Sequence, residues 1–216
     1  MLRPRCFTSL IVLGLSACAT APMPDGIGRG VIAFDPEPPP AAVLYERPAC
    51  EVGCRYALLQ GGQIRQEFTV VESGTAGQVV RDASGHELRR DRDLGHLGEW
   101  NAEGEAVHLL SPADARFHWP LWVGKRWRCE YVDRRPGEPM RTLEVSYTVE
   151  ELDRIAVPAG TFEALRIARV AVLKADGGRY LSRTSLSWYA PSIGLEVRQV
   201  RNDTAFELLE WSPGQR

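Results

Sequence analysis

The sequence predicts an all-β protein with a curled antiparallel sheet or open barrel, and a β-sandwich is the alternative fold. Apolar and polar residues alternate strictly from Leu143 to Val149, which is the period of two expected of a half-buried strand. Turn-forming residues recur at the spacing of consecutive antiparallel hairpins, at 82–85, 101–104, 135–139, 158–160, 176–178 and 191–194. A long sheet with one apolar face must close, fold over or be covered, so these patterns favour a sheet that curls.

Two other stretches extend the strand assignment. The apolar residues of 127–131 alternate with Arg128 and Glu130, again with a period of two. The interval 161–173 is the one helix-like part of the chain, but it is rich in β-branched residues and a turn follows at Asp176. We therefore expect a long strand there.

The first 17 residues are typical of a secretory signal peptide. Arg3 and Arg5 precede an apolar core at Leu10–Leu15, and small residues follow. The mostly apolar stretch from Cys6 to Ala17 is too short to span a bilayer, which takes about 20 residues. This segment is therefore set apart from the folded protein.

The residues Leu15-Ser16-Ala17-Cys18 resemble the lipobox of bacterial lipoproteins, L-[S/A]-[A/G]-C, and match it fully. The resemblance implies that Cys18 is diacylated, for instance with palmitate, that the signal is cleaved before it, and that the new amine is acylated. Ala19 stands where an Asp would favour retention in the inner membrane. The resemblance therefore implies an anchor in the cell outer membrane that faces the periplasm, and three acyl chains make such an anchor firm.

The charge of the chain excludes several kinds of partner. The 216 residues carry a net charge of −2, which becomes −4 once cleavage removes Arg3 and Arg5. A mildly acidic protein without a basic run gains no attraction to nucleic acid or to anionic lipid. We therefore expect no nucleic-acid partner and a membrane contact that depends on the lipid anchor alone.

The residues after Cys18 are predicted to form a tether. Small residues and proline dominate 18–42, which ends in the proline-rich run 36–40, and proline favours extended, unpaired backbone. A strand over Gly30–Phe34 is the alternative interpretation of part of this segment. The remaining residues, 43–216, are predicted to form one β-rich domain.

Three motifs in the C-terminal half carry a family resemblance. In order along the chain they are Trp119-Pro120-Leu121-Trp122-Val123-Gly124-Lys125-Arg126-Trp127, Val157-Pro158-Ala159-Gly160-Thr161-Phe162 and Trp188-Tyr189-Ala190-Pro191-Ser192-Ile193-Gly194-Leu195-Glu196-Val197. They resemble the signature F-P-L-x-x-G-x-x-W, V-P-A-G-T-F and W-Y-A-P-x-x-G-x-V of a group of uncharacterised β-rich exported proteins and lipoproteins of bacteria. Trp119 replaces the usual Phe. The resemblance implies a β-sheet fold and an envelope location, and it implies no activity.

The tryptophans of these motifs have two possible roles. Trp119, Trp122, Trp127 and Trp188 would form a ligand-binding platform if their rings faced an open concavity. Large aromatic side chains fill a protein core more often, so packing is the interpretation that we favour.

Cysteine usage fits an oxidising compartment. Once Cys6 is removed and Cys18 is acylated, Cys50, Cys54 and Cys129 remain. Proximity in sequence favours a disulfide between Cys50 and Cys54, whereas a longer loop to Cys129 would stabilise more. We expect the pair Cys50 and Cys54, with Cys129 buried on the apolar side of its strand as a small hydrophobe.

One polar cluster is a weak candidate for metal binding or acid-base chemistry. The segment 81–96 contains two histidines and three aspartates, namely Asp82, His86, Asp91, Asp93 and His96. Arginines interleave with them and would weaken a metal site, and His86 directly follows a turn. A solvated hairpin is the favoured interpretation, so no metal is assigned, and His86 and His96 remain weak candidates.

No catalytic motif occurs in the sequence. It lacks a G-x-S-x-G elbow, an H-E-x-x-H zinc motif and a glycine-rich phosphate loop, so we expect no cofactor and no enzyme activity. The predicted function is docking or scaffolding of an envelope protein by a lipid-anchored sheet. The alternative is a carrier that holds an apolar ligand in a β-sheet cavity, and a metal-dependent hydrolase ranks behind both.

Overall fold

The computed structural model describes residues 27–48, 51–174 and 180–214, and across these residues it contains strands and no helix. The thirteen strands of this part of the chain are β1 (Gly30–Phe34), β2 (Arg55–Gln60), β3 (Ile64–Ser73), β4 (Gly77–Asp82), β5 (Glu87–Asp91), β6 (His96–Trp100), β7 (Ala106–Asp114), β8 (Arg126–Arg134), β9 (Arg141–Val157), β10 (Gly160–Lys174), β11 (Tyr180–Ala190), β12 (Leu195–Arg201) and β13 (Thr204–Ser212). Among the same residues, no helix has the length and apolar composition needed to cross a bilayer.

Strands β2 to β13 form one closed antiparallel barrel of 12 strands. Each strand pairs with its neighbours along the chain, including β8 with β9, and one long-range pairing, of β2 with β13, completes the ring. The all-β prediction is confirmed. The sheet closes fully on itself, which goes one step beyond the curled or open sheet expected, and the β-sandwich alternative is wrong because there is no second sheet among the described strands.

Hairpin turns lie where the turn-forming residues predicted them. The segments 82–85, 101–104, 135–138 and 191–194 join successive strands, whereas the predicted turn at 176–178 falls outside the described residues. The expected long strand is also confirmed, since β10 runs without a break over 15 residues and pairs with β9 along its whole length. This long β9–β10 hairpin supports one side of the barrel.

The segment predicted as a tether includes a strand of the sheet. Residues of β1 pair with 127–130 of β8, next to the part of β8 that pairs with β7, so the alternative interpretation of Gly30–Phe34 is the one observed. Just before β1, Arg29 forms an ion pair with Glu130, at 2.9 Å between Nη2 and Oε2. Hydrogen bonds from Arg29 and Lys174 lower the pKa of Glu130 to about 2. These contacts fasten the N-terminal strand to the barrel.

Apolar side chains fill one half of the barrel. The larger cluster lies inside β8–β11 and beneath the segment between β7 and β8, and its members are Leu94, Leu110, Phe117, Leu121, Trp127, Cys129, Tyr131, Val145, Tyr147, Val149, Leu165, Ile167, Ala171 and Tyr189. A second cluster packs across β9–β13 and consists of Ile155, Val157, Ala164, Trp188, Ala190, Val197 and Leu208. A fully buried aliphatic or aromatic side chain contributes about 1.5–3 kcal/mol, so these clusters hold the closed ring together.

A buried polar network crosses the larger cluster. The carboxylate of Asp114 accepts a hydrogen bond from the Tyr147 hydroxyl at 2.5 Å and one from Arg169 Nη2 at 3.1 Å. The same nitrogen of Arg169 donates to the Tyr131 hydroxyl at 2.8 Å. Cys129 is fully buried beside Asp114, as expected of a small hydrophobe, and burial raises the pKa of its thiol to about 12. The thiol is therefore neutral and unreactive at neutral pH.

Candidate functional site

The other half of the barrel contains a cavity of about 520 Å³. Strands β2–β7, β12 and β13 are consecutive in the ring and line the cavity, so the pairing of β2 with β13 joins its walls. Sites for small ligands usually have volumes of about 300–1,000 Å³. The cavity is therefore large enough for one small molecule.

Apolar side chains line part of the cavity. Tyr56 and Phe68 lie on paired strands with their rings stacked at 5.1 Å between centroids, and both line the cavity together with Leu58. At its inner end the cavity meets Phe117 and Tyr189, which belong to the larger core cluster. The packed half of the barrel thus gives the open half a rigid, apolar end.

Charged side chains line the rest of the cavity. Arg116 forms a close ion pair with Glu196, at 2.7 Å. Arg90 donates to the amide oxygen of Gln78 at 3.1 Å, and Arg201 donates to the amide oxygen of Gln199. Among the described residues, no carboxylate oxygen lies within the 4.0 Å of an ion pair from Arg90 or from Arg201, so two guanidinium groups of the cavity have only neutral partners.

Arg201 lines the cavity and is exposed to solvent there. Desolvation by the surrounding atoms, followed by the charge of Arg116, lowers the pKa of Arg201 to about 10. The side chain is therefore still charged at neutral pH. A negatively charged group in the cavity would favour this charged form.

The four tryptophans that the sequence singled out do not line this cavity. Trp127 is 1% exposed, stacks on Tyr147 at 5.1 Å and donates its indole N–H to Ala115 O at 2.7 Å. Trp122 and Trp188 are buried as well.

Trp119 packs against the larger core cluster, and its indole donates to Asp93 O at 3.0 Å. The four indoles therefore have a packing role, and the ligand platform considered for them does not form. The tryptophan that does line the cavity is Trp100, at the end of β6, which no sequence motif marked.

The structure separates the two candidate histidines. His86 lies at the β4–β5 turn with its side chain 57% exposed. Its neighbour Asp82 accepts hydrogen bonds from the backbone N–H groups of Ser84 and His86, at 2.8 and 2.9 Å. These are the contacts of a hairpin turn, which accords with the solvated interpretation.

Asp91 has the same kind of role at the next turn. Its carboxylate accepts backbone hydrogen bonds from Asp93 at 2.9 Å and from Gly95 at 2.8 Å. Two of the three aspartates of the predicted cluster therefore shape turns.

His96, in contrast, joins a different group. Its side chain lies near Glu99 and His108, and one ligand atom from each of the three residues lies within 4.8 Å of the others. Among the described residues this is the only such group of three or more histidine, cysteine or acidic side chains. Sequence reasoning missed Glu99 and His108, which pair across β6 and β7 only because the register shifts between Glu99 and Trp100, and no sequence signal marks that shift.

Three of the sequence predictions fall on residues outside the described part of the chain. These are the signal peptide, the lipidation of Cys18, and the participation of Cys50 in a disulfide. Cys54 is half-buried directly before β2. The pairing of Cys50 with Cys54 stays a prediction.

Comparisons with known proteins show the fold. The chain matches no protein-family model, and it matches no curated protein. Among solved structures it is similar to the hypothetical lipoprotein YmcC from Escherichia coli K12, with a TM-score of 0.51 at 9% identity over 74% of this chain and 85% of that one.

Two further solved structures align more loosely. One is a protein of Parabacteroides distasonis ATCC 8503 provisionally described as a lipoprotein, with a TM-score of 0.49 at 13% identity over 78% of this chain and 99% of that one. The other is a protein of Bacteroides fragilis NCTC 9343, provisionally described as exported and as having a YmcC-like fold, with a TM-score of 0.40 at 15% identity over 79% of this chain and 100% of that one. At such identities the likeness to YmcC shows a shared all-β fold and nothing finer.

Proposed function

We propose that this protein is a lipid-anchored, non-catalytic envelope protein whose barrel holds a small amphiphile with an anionic group. The observation that carries the proposal is the cavity of about 520 Å³ lined by β2–β7 and β12–β13, with apolar residues and two arginines that have no carboxylate of the described residues within ion-pair distance. Of the two leading functions that the sequence left open, the cavity favours the carrier. Docking or scaffolding would not require an internal cavity.

The chemistry of the cavity specifies the class of ligand. An apolar chain would pack against Tyr56, Leu58 and Phe68, whereas its anionic group would pair with Arg90 or Arg201. A hydrogen bond to a charged group contributes about 1.5–3 kcal/mol, which is more than a neutral one. The purely apolar ligand that the sequence suggested is therefore replaced by an amphiphile.

The proposed location is the outer membrane, facing the periplasm, with Cys18 as the anchor. The complete lipobox at 15–18 and the alanine at position 19 support it. The likeness in fold to YmcC, itself described as a hypothetical lipoprotein, agrees with it. The barrel would then present its cavity to the periplasm while the acyl chains hold it at the membrane.

The anchor predicts a specific covalent mass. We expect the mature chain purified from membranes to begin at Cys18 and to carry the mass of its acyl chains, and we expect Cys18→Ser to retain residues 1–17 and to carry no acyl mass. Intact mass spectrometry of both chains measures this. A wild-type chain that is cleaved elsewhere or lacks acyl mass would refute the anchor.

The cavity predicts a retained ligand. Native mass spectrometry of the full chain released from detergent micelles is expected to show one additional mass per chain, beyond the covalent acyl groups, that organic-solvent extraction removes. The extracted compound should carry a negative charge and an apolar chain. The carrier function is contradicted if the protein shows only its covalent mass and binds no anionic amphiphile when one is added. Docking or scaffolding would then be the better-supported function.

A further inference from the structure

We infer that His96, Glu99 and His108 form a binding site for a divalent transition-metal ion of the zinc type, with Asp133 orienting His108. The site lies where β6 pairs with β7, and it is separate from the proposed ligand function except that Glu99 also lines the cavity. The inference stands whether or not the cavity holds an amphiphile.

The three ligand atoms converge on one point. Glu99 Oε1 lies 3.9 Å from His96 Nε2 and 4.0 Å from His108 Nδ1. Two imidazoles and one carboxylate are the ligand set of one class of three-residue zinc sites, in which the fourth position holds water or substrate. Paired strands supply all three side chains, and the register shift between His96 and Gly98 brings His96 and Glu99, three residues apart, to the same side of the sheet.

His108 is oriented as metal-binding histidines usually are. Its Nε2 lies 2.9 Å from Asp133 Oδ1, within hydrogen-bond distance. When Nε2–H donates to this carboxylate, Nδ1 has no proton, and its lone pair is available on the side where Glu99 lies. A carboxylate on the far nitrogen of a ligand histidine fixes its tautomer and increases its basicity.

His96 has a polar atom that the protein does not satisfy. Its Nε2 is shielded from solvent and has no hydrogen-bond partner in the described part of the chain. A buried polar atom without a partner costs about 1–3 kcal/mol, and a bound metal ion would satisfy it.

The spacing needs only a small adjustment. With bonds of about 2.0–2.1 Å in a tetrahedral arrangement, two ligand atoms lie about 3.3 Å apart. The two separations that involve Glu99, 3.9 and 4.0 Å, exceed this by less than 1 Å, and the ligand atoms of His96 and His108 lie within 4.8 Å of each other. The Glu99 side chain is 50% exposed, so it can move by that amount without displacing the core.

Two nearby arginines are close to carboxylates, which reduces their electrostatic repulsion of a bound cation. Arg116 is paired with Glu196 at 2.7 Å, and Arg135 lies 3.6 Å from Asp133. Of the arginines that argued against a metal in the segment 81–96, Arg81 and Arg89 pair with Glu87 and Arg92 pairs with Asp93. Arg90 instead donates to Gln78. Among the three proposed ligands, the carboxylate of Glu99 is the one that supplies a negative charge to the ion.

Zn²⁺ binding to the metal-stripped full chain tests the inference. We expect isothermal titration calorimetry to show one saturable Zn²⁺ per chain, and Co²⁺ in its place to give a visible absorption band that Zn²⁺ abolishes. Asp133→Asn should weaken Zn²⁺ binding by about 10- to 100-fold, as partners of ligand histidines usually do. Glu99→Gln and His108→Ala remove ligands directly and should weaken it by more.

The matched control is His86→Ala, because this exposed histidine lies outside the group. It should leave Zn²⁺ affinity unchanged. Circular dichroism verifies the fold of each variant, and if His108→Ala does not fold, the half-exposed Glu99→Gln decides. The inference is overturned if the wild type shows no saturable binding, if Glu99→Gln binds as the wild type does, or if His86→Ala loses as much affinity as Glu99→Gln.

Discussion

Replacing Asp114 with alanine is expected to lower the free energy of unfolding by about 3–5 kcal/mol, the range for removing one partner of a buried ion pair. Asp114 is 4% exposed, and its carboxylate accepts hydrogen bonds from Tyr147 and Arg169. The variant leaves the Arg169 guanidinium without its acidic partner and the Tyr147 hydroxyl without its acceptor. Such a loss is a large fraction of the stability of a typical domain.

A graded substitution separates charge from hydrogen bonding at this position. Asp114→Asn keeps an oxygen that can accept from Tyr147 but removes the negative charge opposite Arg169. We therefore expect a loss between zero and that of Asp114→Ala. If the two variants lose the same stability, the carboxylate charge accounts for the effect, and if Asn costs nothing, the hydrogen bonds do.

The surface acid Glu150 provides the control. It pairs with Arg166 at 2.7 Å, but Arg166 also contacts Glu151 and Asp153, and an exposed ion pair contributes only about 0–1 kcal/mol. Denaturant unfolding of Glu150→Ala should therefore differ from the wild type by less than about 1 kcal/mol. A loss for Asp114→Ala as small as that for Glu150→Ala would show that the network does not stabilise the barrel.

Local sequence patterns predicted many of the strands and turns, but they did not predict that the sheet closes into a barrel. Strict alternation at 143–149 and turn residues such as those at 101–104 act over a few positions, and the structure has strands and turns there. Closure depends on the pairing of β2 with β13, which joins residue 60 to residue 206. No local pattern encodes a contact over that separation, so the strand pattern favoured an open barrel and left a sandwich as the alternative.

The residues of the cavity and of the proposed metal site were harder to predict from the sequence than the strands were. Trp127 and Trp188 were ligand-binding candidates because they are large aromatic residues within the sequence motifs. Large aromatic side chains also pack well in a core, and both residues belong to the buried clusters. Arginine is usually found at protein surfaces, so the sequence does not mark Arg90 or Arg201 as special. Only the closed barrel shows that both line its cavity. The sequence identified His96 as a weak metal-binding candidate. Its partner His108 lies on the next strand, and the two can be brought together only when the pairing of β6 with β7 is known.

Replacing Arg201 with glutamine is expected to weaken the binding of an anionic amphiphile by about 10- to 100-fold, since a hydrogen bond to a charged group contributes about 1.5–3 kcal/mol. Arg201 lines the cavity, where it donates to Gln199 and lies over the Phe206 ring, and no carboxylate of the described residues is within ion-pair distance of it. Glutamine keeps a polar side chain of similar reach and removes only the charge. Titration calorimetry with dodecyl phosphate, below its micelle concentration, measures the affinity.

Two comparisons show whether the charge of Arg201 is responsible. Dodecanol has the same apolar chain without the anionic group, so Arg201→Gln should leave its affinity unchanged. Arg128 lies on β8 away from the cavity with its side chain 52% exposed and paired with Glu144, so Arg128→Gln should leave both ligands unaffected. Equal losses for dodecyl phosphate and dodecanol in Arg201→Gln would mean that the guanidinium shapes the cavity rather than recognises an anion. The ligand would then be apolar, because the walls formed by Tyr56, Leu58 and Phe68 would be the part of the cavity that selects it.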